Sequence, residues 1–275
     1  MNAEHSASSQ GFDEAFVARV LDDALATGAR TYAISGLQGS GKSTLAAQLA
    51  AAARGRGLRA AVLSIDDFYL GRRERQGLGR SVHPLLATRG PPGTHAVALA
   101  CEVLDRLRAG QATRWPRFDK LRDTRLPPSR WSHAEAVDLT VFEGWFLATP
   151  AQDADELVEP VNALEREEDA AGIWRGYCNR ALAEDYPALW SRLDRTLFLR
   201  PPGFDIVVEW RWQQEQAMQA RRPQHRGMSR AEVRRFVSLF ERVSRQALAR
   251  LPEIADWVVG LDERRRVIGA DARTR

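Results

Sequence analysis

The sequence predicts an α/β fold in which a doubly wound sheet of five parallel strands is flanked by helices. Two observations support this prediction. Short β-prone runs alternate along the chain with longer segments of helical periodicity, the pattern of parallel sheets. The run RAAVLSI at 59–65 is apolar through its centre, as expected for a strand covered on both faces. With 275 residues, of which 44% are hydrophobic, the chain has enough material for a sizeable core.

The expected elements follow in order. Apolar β-prone runs place the five strands at 31–35, 59–65, 139–142, 195–199 and 256–261. Apolar residues at helical spacing place helices at 13–26, 42–54, 96–107, 164–193, 204–221 and 229–250. Two long segments, 71–94 and 111–135, are rich in proline, glycine or arginine and lack periodicity. Long irregular segments of this kind often carry function.

The chain is expected to form one domain over residues 13–265. The small polar residues at 1–12 are expected to be disordered, and residues 266–275 to form a C-terminal tail. The helices around 211–230, separated by a basic turn, have the pattern of a mobile lid. The two cysteines, Cys101 and Cys178, do not suggest a disulfide framework. The sequence leaves the oligomeric state open.

The charge pattern argues against nucleic acid as a partner. The net charge is +4, but the basic residues are scattered among acids rather than gathered in one stripe. The first ten residues lack the pattern of a signal peptide, and no apolar stretch approaches the length of a membrane span. A cytoplasmic protein that acts on a small molecule, away from membranes, is therefore expected.

The strongest motif is Gly36–Ser43, GLQGSGKS, which matches the phosphate-binding loop pattern G-x-x-x-x-G-K-[ST]. It lies between an expected strand and an expected helix, as this loop requires, and so assigns the chain to the P-loop NTPase fold. The glycines let backbone N–H groups point at phosphate oxygens, and the helix adds its positive end. The residues expected to bind the ATP phosphates are Gly36, Gln38, Gly39, Ser40, Gly41, Lys42, Ser43 and Thr44.

Within this loop, Lys42 is expected to reach the β- and γ-phosphates and to act in catalysis, and Ser43 to supply a hydroxyl to Mg²⁺. ATP and Mg²⁺ are therefore the expected cofactors. Acids follow two other strands, and parallel strands deliver their carboxyl ends to one sheet edge. Asp66, after the second strand, is the candidate base for a substrate hydroxyl, and Glu143, after the third, is a candidate magnesium ligand.

Further candidates bind the acceptor. Asp67 and Tyr69 follow the candidate base directly, although Asp67 could instead contact magnesium or cap the next turn. Cations in the two irregular segments could pair with a carboxylate or phosphate of the substrate: Arg89, Arg117 and Lys120. The chain has only two lysines, Lys42 and Lys120, which draws attention to the second.

From the expected lid, arginines could close over the transferring phosphoryl group. Arg211 is the candidate chosen for catalysis, although the sequence does not distinguish it clearly from Arg221 or Arg222.

Taken together, the motifs resemble the D-glycerate 3-kinases of plants and fungi. The resemblance rests on SGLQGSGKST, SIDDFYL, RGPPGTH, PRFDK, FEGW and WRWQQE followed by GMS, which span residues 31–261. It implies transfer of the ATP γ-phosphate to the 3-hydroxyl of D-glycerate. It also implies kinship with phosphoribulokinase, uridine kinase and pantothenate kinase, in which Asp66 matches the base and Glu143 the acid of the third motif.

The chain departs from the family pattern at a few positions. Ala96 stands where the family usually has aspartate, Phe118 where tyrosine is more usual, and Gln219 where a basic residue is common. Alternatives therefore stay open. The acceptor could be pantothenate, a nucleoside or a sugar phosphate. A P-loop regulatory NTPase with a protein partner is another class, but the guanine-binding run N-K-x-D is absent from the sequence.

Overall fold

The computed structural model describes residues 11–221, 224 and 227–273. Its helices are α1 (Glu14–Ala26), α2 (Lys42–Gly55), α3 (Arg72–Ser81), α4 (Val97–Arg108), α5 (Ala163–Glu168), α6 (Ile173–Glu184), α7 (Tyr186–Trp190), α8 (Ile206–Arg221), α9 (Arg230–Ser238) and α10 (Glu241–Ile254). Its strands are β1 (Thr31–Gly36), β2 (Ala60–Ser64), β3 (Thr113–Trp115), β4 (Phe118–Asp119), β5 (Thr124–Arg125), β6 (Ser132–Ala134), β7 (Leu139–Gly144), β8 (Arg195–Arg200), β9 (Trp257–Leu261) and β10 (Val267–Ala272).

The central sheet has the strand order β10-β9-β8-β1-β7-β2. The five predicted strands are all present and pair in parallel, so that part of the prediction is confirmed. Strand β1 lies at the middle, between β7 and β8. Because the strands are parallel, the ends of β1, β2 and β7 reach the same edge of the sheet.

Helices cover both faces of the sheet. Along β1, the side chains alternate between the faces. Tyr32 and Ile34 are fully buried in a cluster with residues of α1 and α2, and Ala33 is buried in a second cluster with residues of α4, α6 and α7. Helices α8, α9 and α10 enclose a third cluster around Phe198. The phosphate-loop strand is thus held rigidly from both sides.

The structure differs from the expected ends of the domain. Residues 267–272, expected to belong to a tail, pair antiparallel with β9 as the sixth strand. Most of this strand is exposed, so it lacks the apolar pattern that marks a core strand. Phe12, expected to be disordered, donates its N–H to Gln48 Oε1 at 2.8 Å. Residues 1–10 of the expected disordered segment lie outside the described residues.

The helical regions are more divided than the periodicity indicates. The expected helix 164–193 consists of α5, α6 and α7, and the expected helix 229–250 consists of α9 and most of α10. The expected lid at 211–230 comprises the end of α8 and the approach to α9, but positions 222, 223, 225 and 226 lie outside the described residues. In the described part of the chain, the helices are too short or too polar to span a bilayer.

Candidate active site

The phosphate loop joins the end of β1 to the start of α2. Gly39 and Gly41 have φ angles of +83° and +93°, a left-handed conformation that side chains disfavour. A Cβ atom at Gly39 would also lie only 2.6 Å from the Cβ of Trp210 on α8. Gly41 caps α2 without a side-chain hydrogen bond. The first N–H groups of the helix are therefore left available to an anion.

Lys42 and its neighbours fit a phosphate ligand. The Lys42 ammonium is buried and donates to the carbonyl of Leu37 at 2.9 Å, and no described carboxylate lies within ion-pair distance. Burial lowers the pKa of Lys42, while Glu143 and Asp66 oppose that shift. Among the described residues, the buried polar atoms of Gln38 and Ser40 have no hydrogen-bond partner. A bound polyphosphate would neutralise this cation and supply acceptors.

The structure brings Glu143 and Ser43 together. The Ser43 hydroxyl donates to Glu143 Oε1 at 3.1 Å, and the carboxylate is largely buried at the end of β7. Searched over the described residues, the chain holds no cluster of three or more His, Cys, Asp or Glu side chains able to bind a metal. One hydroxyl and one carboxylate suit Mg²⁺, which usually takes few protein ligands and completes its shell with phosphate oxygens and water.

Asp66 lies beyond the end of β2 and has two close partners. The Tyr69 hydroxyl donates to Asp66 Oδ1 at 2.6 Å, and the Lys120 ammonium donates to Oδ2 at 2.6 Å. Burial alone would raise the pKa of Asp66, but Lys120 and the Tyr69 hydroxyl outweigh it and hold that pKa at about 2. Asp66 in turn raises the pKa of Lys120. The carboxylate is therefore ionised at any working pH, and both lysines of the chain lie at this edge of the sheet.

Asp67 is engaged by the protein itself. The Arg117 guanidinium donates to Asp67 Oδ2 at 3.0 Å, and the N–H of Phe118 donates to Oδ1 at 3.1 Å. These bonds fasten the irregular segment 111–135 to the end of β2. The Arg117 side chain stays half exposed. It can therefore turn toward a ligand at modest cost, whereas Asp67 has a structural task.

Arg89 lies near this group but is paired elsewhere. Its guanidinium donates to Asp123 at 2.6 Å and lies 5.7 Å from the ring centroid of Phe118. The same Asp123 accepts an ion pair at 2.8 Å from Arg75, whose side chain is almost completely buried. Arg89 nevertheless acts electrostatically on both neighbours of Asp66. It opposes in part the rise that burial causes in the pKa of Tyr69 and the rise that Asp66 causes in the pKa of Lys120.

Arg211, the candidate from the lid, is not brought to the carboxylates in this structure. It forms an ion pair with Glu215 at 2.8 Å and lies 5.7 Å from the ring centroid of Phe236 on α9. Glu215 also accepts the N–H of Met228 at 3.0 Å. These contacts join α8 to the segment before α9. A catalytic role for Arg211 stays a prediction.

His95 also lies against this site, although the sequence pattern does not distinguish it. Its ring centroid is 4.8 Å from that of Tyr69, and Tyr186 Oη lies 2.6 Å from His95 Nδ1. Tyr186 Oη also accepts the N–H of Gly93 at 3.2 Å. In the tautomer in which the Tyr186 hydroxyl donates to Nδ1, the hydrogen of a neutral His95 lies on Nε2. Burial lowers the pKa of His95 to about 3. Its buried Nε2 has no partner among the described residues. Only its place in the motif GTH could have indicated a role.

The sequence of the chain is similar to those of known kinases. No protein-family model matches the chain. It is 34% identical over 216 residues to the uncharacterized kinase mug58 of Schizosaccharomyces pombe, covering 74% of this chain and 76% of that protein. It is 31% identical over 215 residues to the chloroplastic D-glycerate 3-kinase of Arabidopsis thaliana, covering 74% of this chain but only 44% of that protein.

Among solved structures, D-glycerate 3-kinase from Cryptococcus neoformans var. grubii superposes with a TM-score of 0.75 at 24% identity, covering 94% of this chain and 97% of that one. This likeness establishes the fold. The chain belongs to the family of P-loop kinases that includes mug58, and it is homologous to the Arabidopsis enzyme. It is an ATP-dependent phosphotransferase, as the sequence predicts.

Proposed function

We propose that this kinase transfers the γ-phosphate of ATP to the 3-hydroxyl of D-glycerate. The observation that carries the proposal is the grouping of a candidate base, Asp66, with the cations Lys120, Arg117 and Arg89 beyond the end of β2. A small hydroxy acid needs both features, a carboxylate to orient its hydroxyl and cations to bind its own carboxylate. The homology to a D-glycerate 3-kinase supports the choice among hydroxy acids.

On this proposal the acceptor rearranges the ion pairs. The substrate carboxylate competes with Asp66 for the Lys120 ammonium, which is now 2.6 Å from Asp66 Oδ2. As Lys120 turns toward the substrate, the pKa of Asp66 rises because its strongest opposing cation is lost. Asp66 then orients the 3-hydroxyl and takes its proton as the oxygen attacks phosphorus. Binding of the correct acceptor would thereby make the base stronger.

The nucleotide side supplies charge stabilisation. The Lys42 ammonium has no carboxylate partner among the described residues. It is therefore the cation that would stabilise the negative charge of the phosphoryl group during transfer. Ser43 and Glu143 would hold Mg²⁺, which when bound neutralises part of the phosphate charge. A cytoplasmic location remains part of the proposal, on the sequence pattern described above.

His95 is proposed as an acceptor contact. Its neutral ring packs against Tyr69, which itself holds Asp66, so the His95 ring is one side chain away from the base. In the tautomer with hydrogen on Nε2, this atom is a buried donor without a partner among the described residues, which costs about 1–3 kcal/mol. An oxygen of the bound acceptor would remove that cost, and a neutral donor suits a hydroxyl or a carboxylate equally.

The proposal is tested by ADP release with Mg-ATP and separate acceptors: D-glycerate, L-glycerate, pantothenate, uridine and ribulose 5-phosphate. We expect D-glycerate alone to stimulate release strongly. Stimulation by another acceptor, with none by D-glycerate, would retain the kinase and reject the substrate. Ala96 and Phe118, where the chain departs from the family pattern, would then be the first positions to exchange.

A further inference from the structure

The turn between β9 and β10 places an arginine in an uncommon conformation. Asp262 organises the turn, since its Oδ1 accepts the N–H groups of Arg264 and Arg266 at 2.9 and 2.8 Å. Its Oδ2 accepts Arg266 Nε at 2.7 Å. Between them, Arg265 has a φ angle of +64°. For a residue other than glycine this left-handed conformation is unfavourable.

This conformation accompanies a side chain that reaches the phosphate loop. Arg265 Nε donates to the carbonyl of Gly39 at 2.6 Å, although the two residues are 226 positions apart. The guanidinium carbon lies 5.0 Å from the ring centroid of Trp210, on the helix that packs against Gly39. The indole N–H of Trp210 donates to the carbonyl of Glu263 in the same turn at 2.8 Å. The turn, α8 and the phosphate loop therefore hold one guanidinium between them.

The described residues place no acidic side chain beside this guanidinium. Its neighbour Arg266 pairs with Asp262, but no carboxylate in the described part of the chain lies within 4.0 Å of Arg265. Burial lowers the pKa of Arg265, with no opposing acid. A half-buried cation that is left unpaired is unfavourable. The guanidinium contacts two backbone carbonyls, of Gly39 and Trp210, and the Trp210 ring, so an anionic ligand beside the phosphate loop would offset its charge.

We propose that Arg265 is a nucleotide-binding residue, which supplies from the β9–β10 turn a second unneutralised cation to the ATP site. The first is Lys42, inside the loop, and Arg265 approaches from the outer side at Gly39. Arginine suits this position because its planar group donates several hydrogen bonds to phosphate while stacking on an aromatic ring. The proposal depends on nucleotide binding and is independent of which acceptor is phosphorylated.

The test is calorimetric titration of the full-length protein with Mg-ADP, without any acceptor. Arg265→Ala should weaken affinity at least tenfold. Arg265→Gln keeps an amide donor for the Gly39 carbonyl and removes the charge, so it should weaken affinity almost as much. Arg264→Ala is the matched control, since Arg264 lies in the same turn with an exposed side chain, and it should bind as the wild type does. Thermal unfolding of each variant separates lost binding from lost folding.

Two results would overturn the proposal. Wild-type affinity in Arg265→Ala would remove Arg265 from the nucleotide site. Wild-type affinity in Arg265→Gln, with weak binding in Arg265→Ala, would reduce the residue to a support for the Gly39 carbonyl. Since no acceptor is present, neither result bears on D-glycerate, and an inactive acceptor assay leaves this titration interpretable.

Discussion

The nucleotide side and the acceptor side of the site are prepared in opposite ways. On the nucleotide side, the cations Lys42 and Arg265 have no acidic partner within ion-pair distance among the described residues. On the acceptor side, cations and acids are already paired with each other. The pairs are Lys120 with Asp66 at 2.6 Å, Arg117 with Asp67 at 3.0 Å, and Arg89 with Asp123 at 2.6 Å.

The difference indicates how each ligand is bound. A polyphosphate meets unneutralised charge on a rigid loop, so its binding requires little rearrangement. A hydroxy acid must replace partners in ion pairs that already exist inside the protein. Only an acceptor with both a carboxylate and a hydroxyl can compensate for the free energy lost when these pairs break. The nucleotide side would then supply affinity, and the acceptor side selectivity. The following predictions test this division, from the largest effect to the smallest.

Replacement of the phosphate-loop lysine has the largest expected effect. Lys42→Ala should abolish detectable turnover, because it removes a buried cation from the phosphates that carry charge in the transition state. The measurement is ADP release at saturating Mg-ATP and D-glycerate. Substantial activity in this variant would mean that the phosphate loop does not act as described, and the contrast between the two sides would fail.

Replacement of the candidate base should slow catalysis while leaving nucleotide binding almost unchanged. Asp66→Asn should lower kcat by about 10²–10⁴-fold, the usual worth of a positioned general base. Affinity for Mg-ADP should change little, since Asp66 is engaged with Tyr69 and Lys120 rather than with the phosphate loop. Steady-state kinetics and an ADP titration provide both values. A near-normal kcat would remove Asp66 from the role of base.

Removal of the second lysine should change the pH dependence. In the wild type, Lys120 helps to hold the pKa of Asp66 at about 2, so kcat/KM should show no loss from Asp66 near neutrality or in mild acid. In Lys120→Met, burial acts with less opposition and the pKa of Asp66 rises. Because the ionised carboxylate is the active form, kcat/KM should then decline as the pH falls through that higher pKa.

The same variant should also raise the KM for D-glycerate, because the carboxylate of the acceptor loses a partner. Rate profiles between about pH 4.5 and 8 measure both effects. Arg130→Met, a change at an exposed cation outside the group around Asp66, is the control and should leave the profile unchanged. Superimposable profiles for the wild type and Lys120→Met would contradict the account of ion-pair exchange.

The smallest effect concerns a helix cap. Ala96 is the N-cap of α4 and makes no side-chain capping bond. Ala96→Asp should raise the free energy of unfolding by about 0.5–2 kcal/mol, because a carboxylate can accept the free N–H groups of the first turn. Urea unfolding measures the gain. Ala98→Asp, exposed within that turn, adds the charge without the cap and should gain less. Equal gains would assign the effect to charge alone.

The sequence could predict those parts of the site that local pattern determines. The glycines and the lysine of the phosphate loop lie within eight residues, and Asp66 and Glu143 follow directly after buried strands. The pairing of Lys120 with Asp66 joins positions 54 apart through an irregular segment, which no periodicity describes. Strand β10 is mostly exposed and resembles a tail. Arg265 could not be distinguished from its two neighbours, because only the turn decides which of three arginines faces the loop.

The central claim is most directly tested by the position of the phosphate in the product. The protein would be incubated with Mg-ATP and D-glycerate until the acceptor is consumed, and the product examined by phosphorus and proton NMR. The account predicts 3-phosphoglycerate, and no product with Asp66→Asn over the same time. Phosphate on the 2-hydroxyl, or unchanged D-glycerate beside an active turnover of another acceptor, would contradict it.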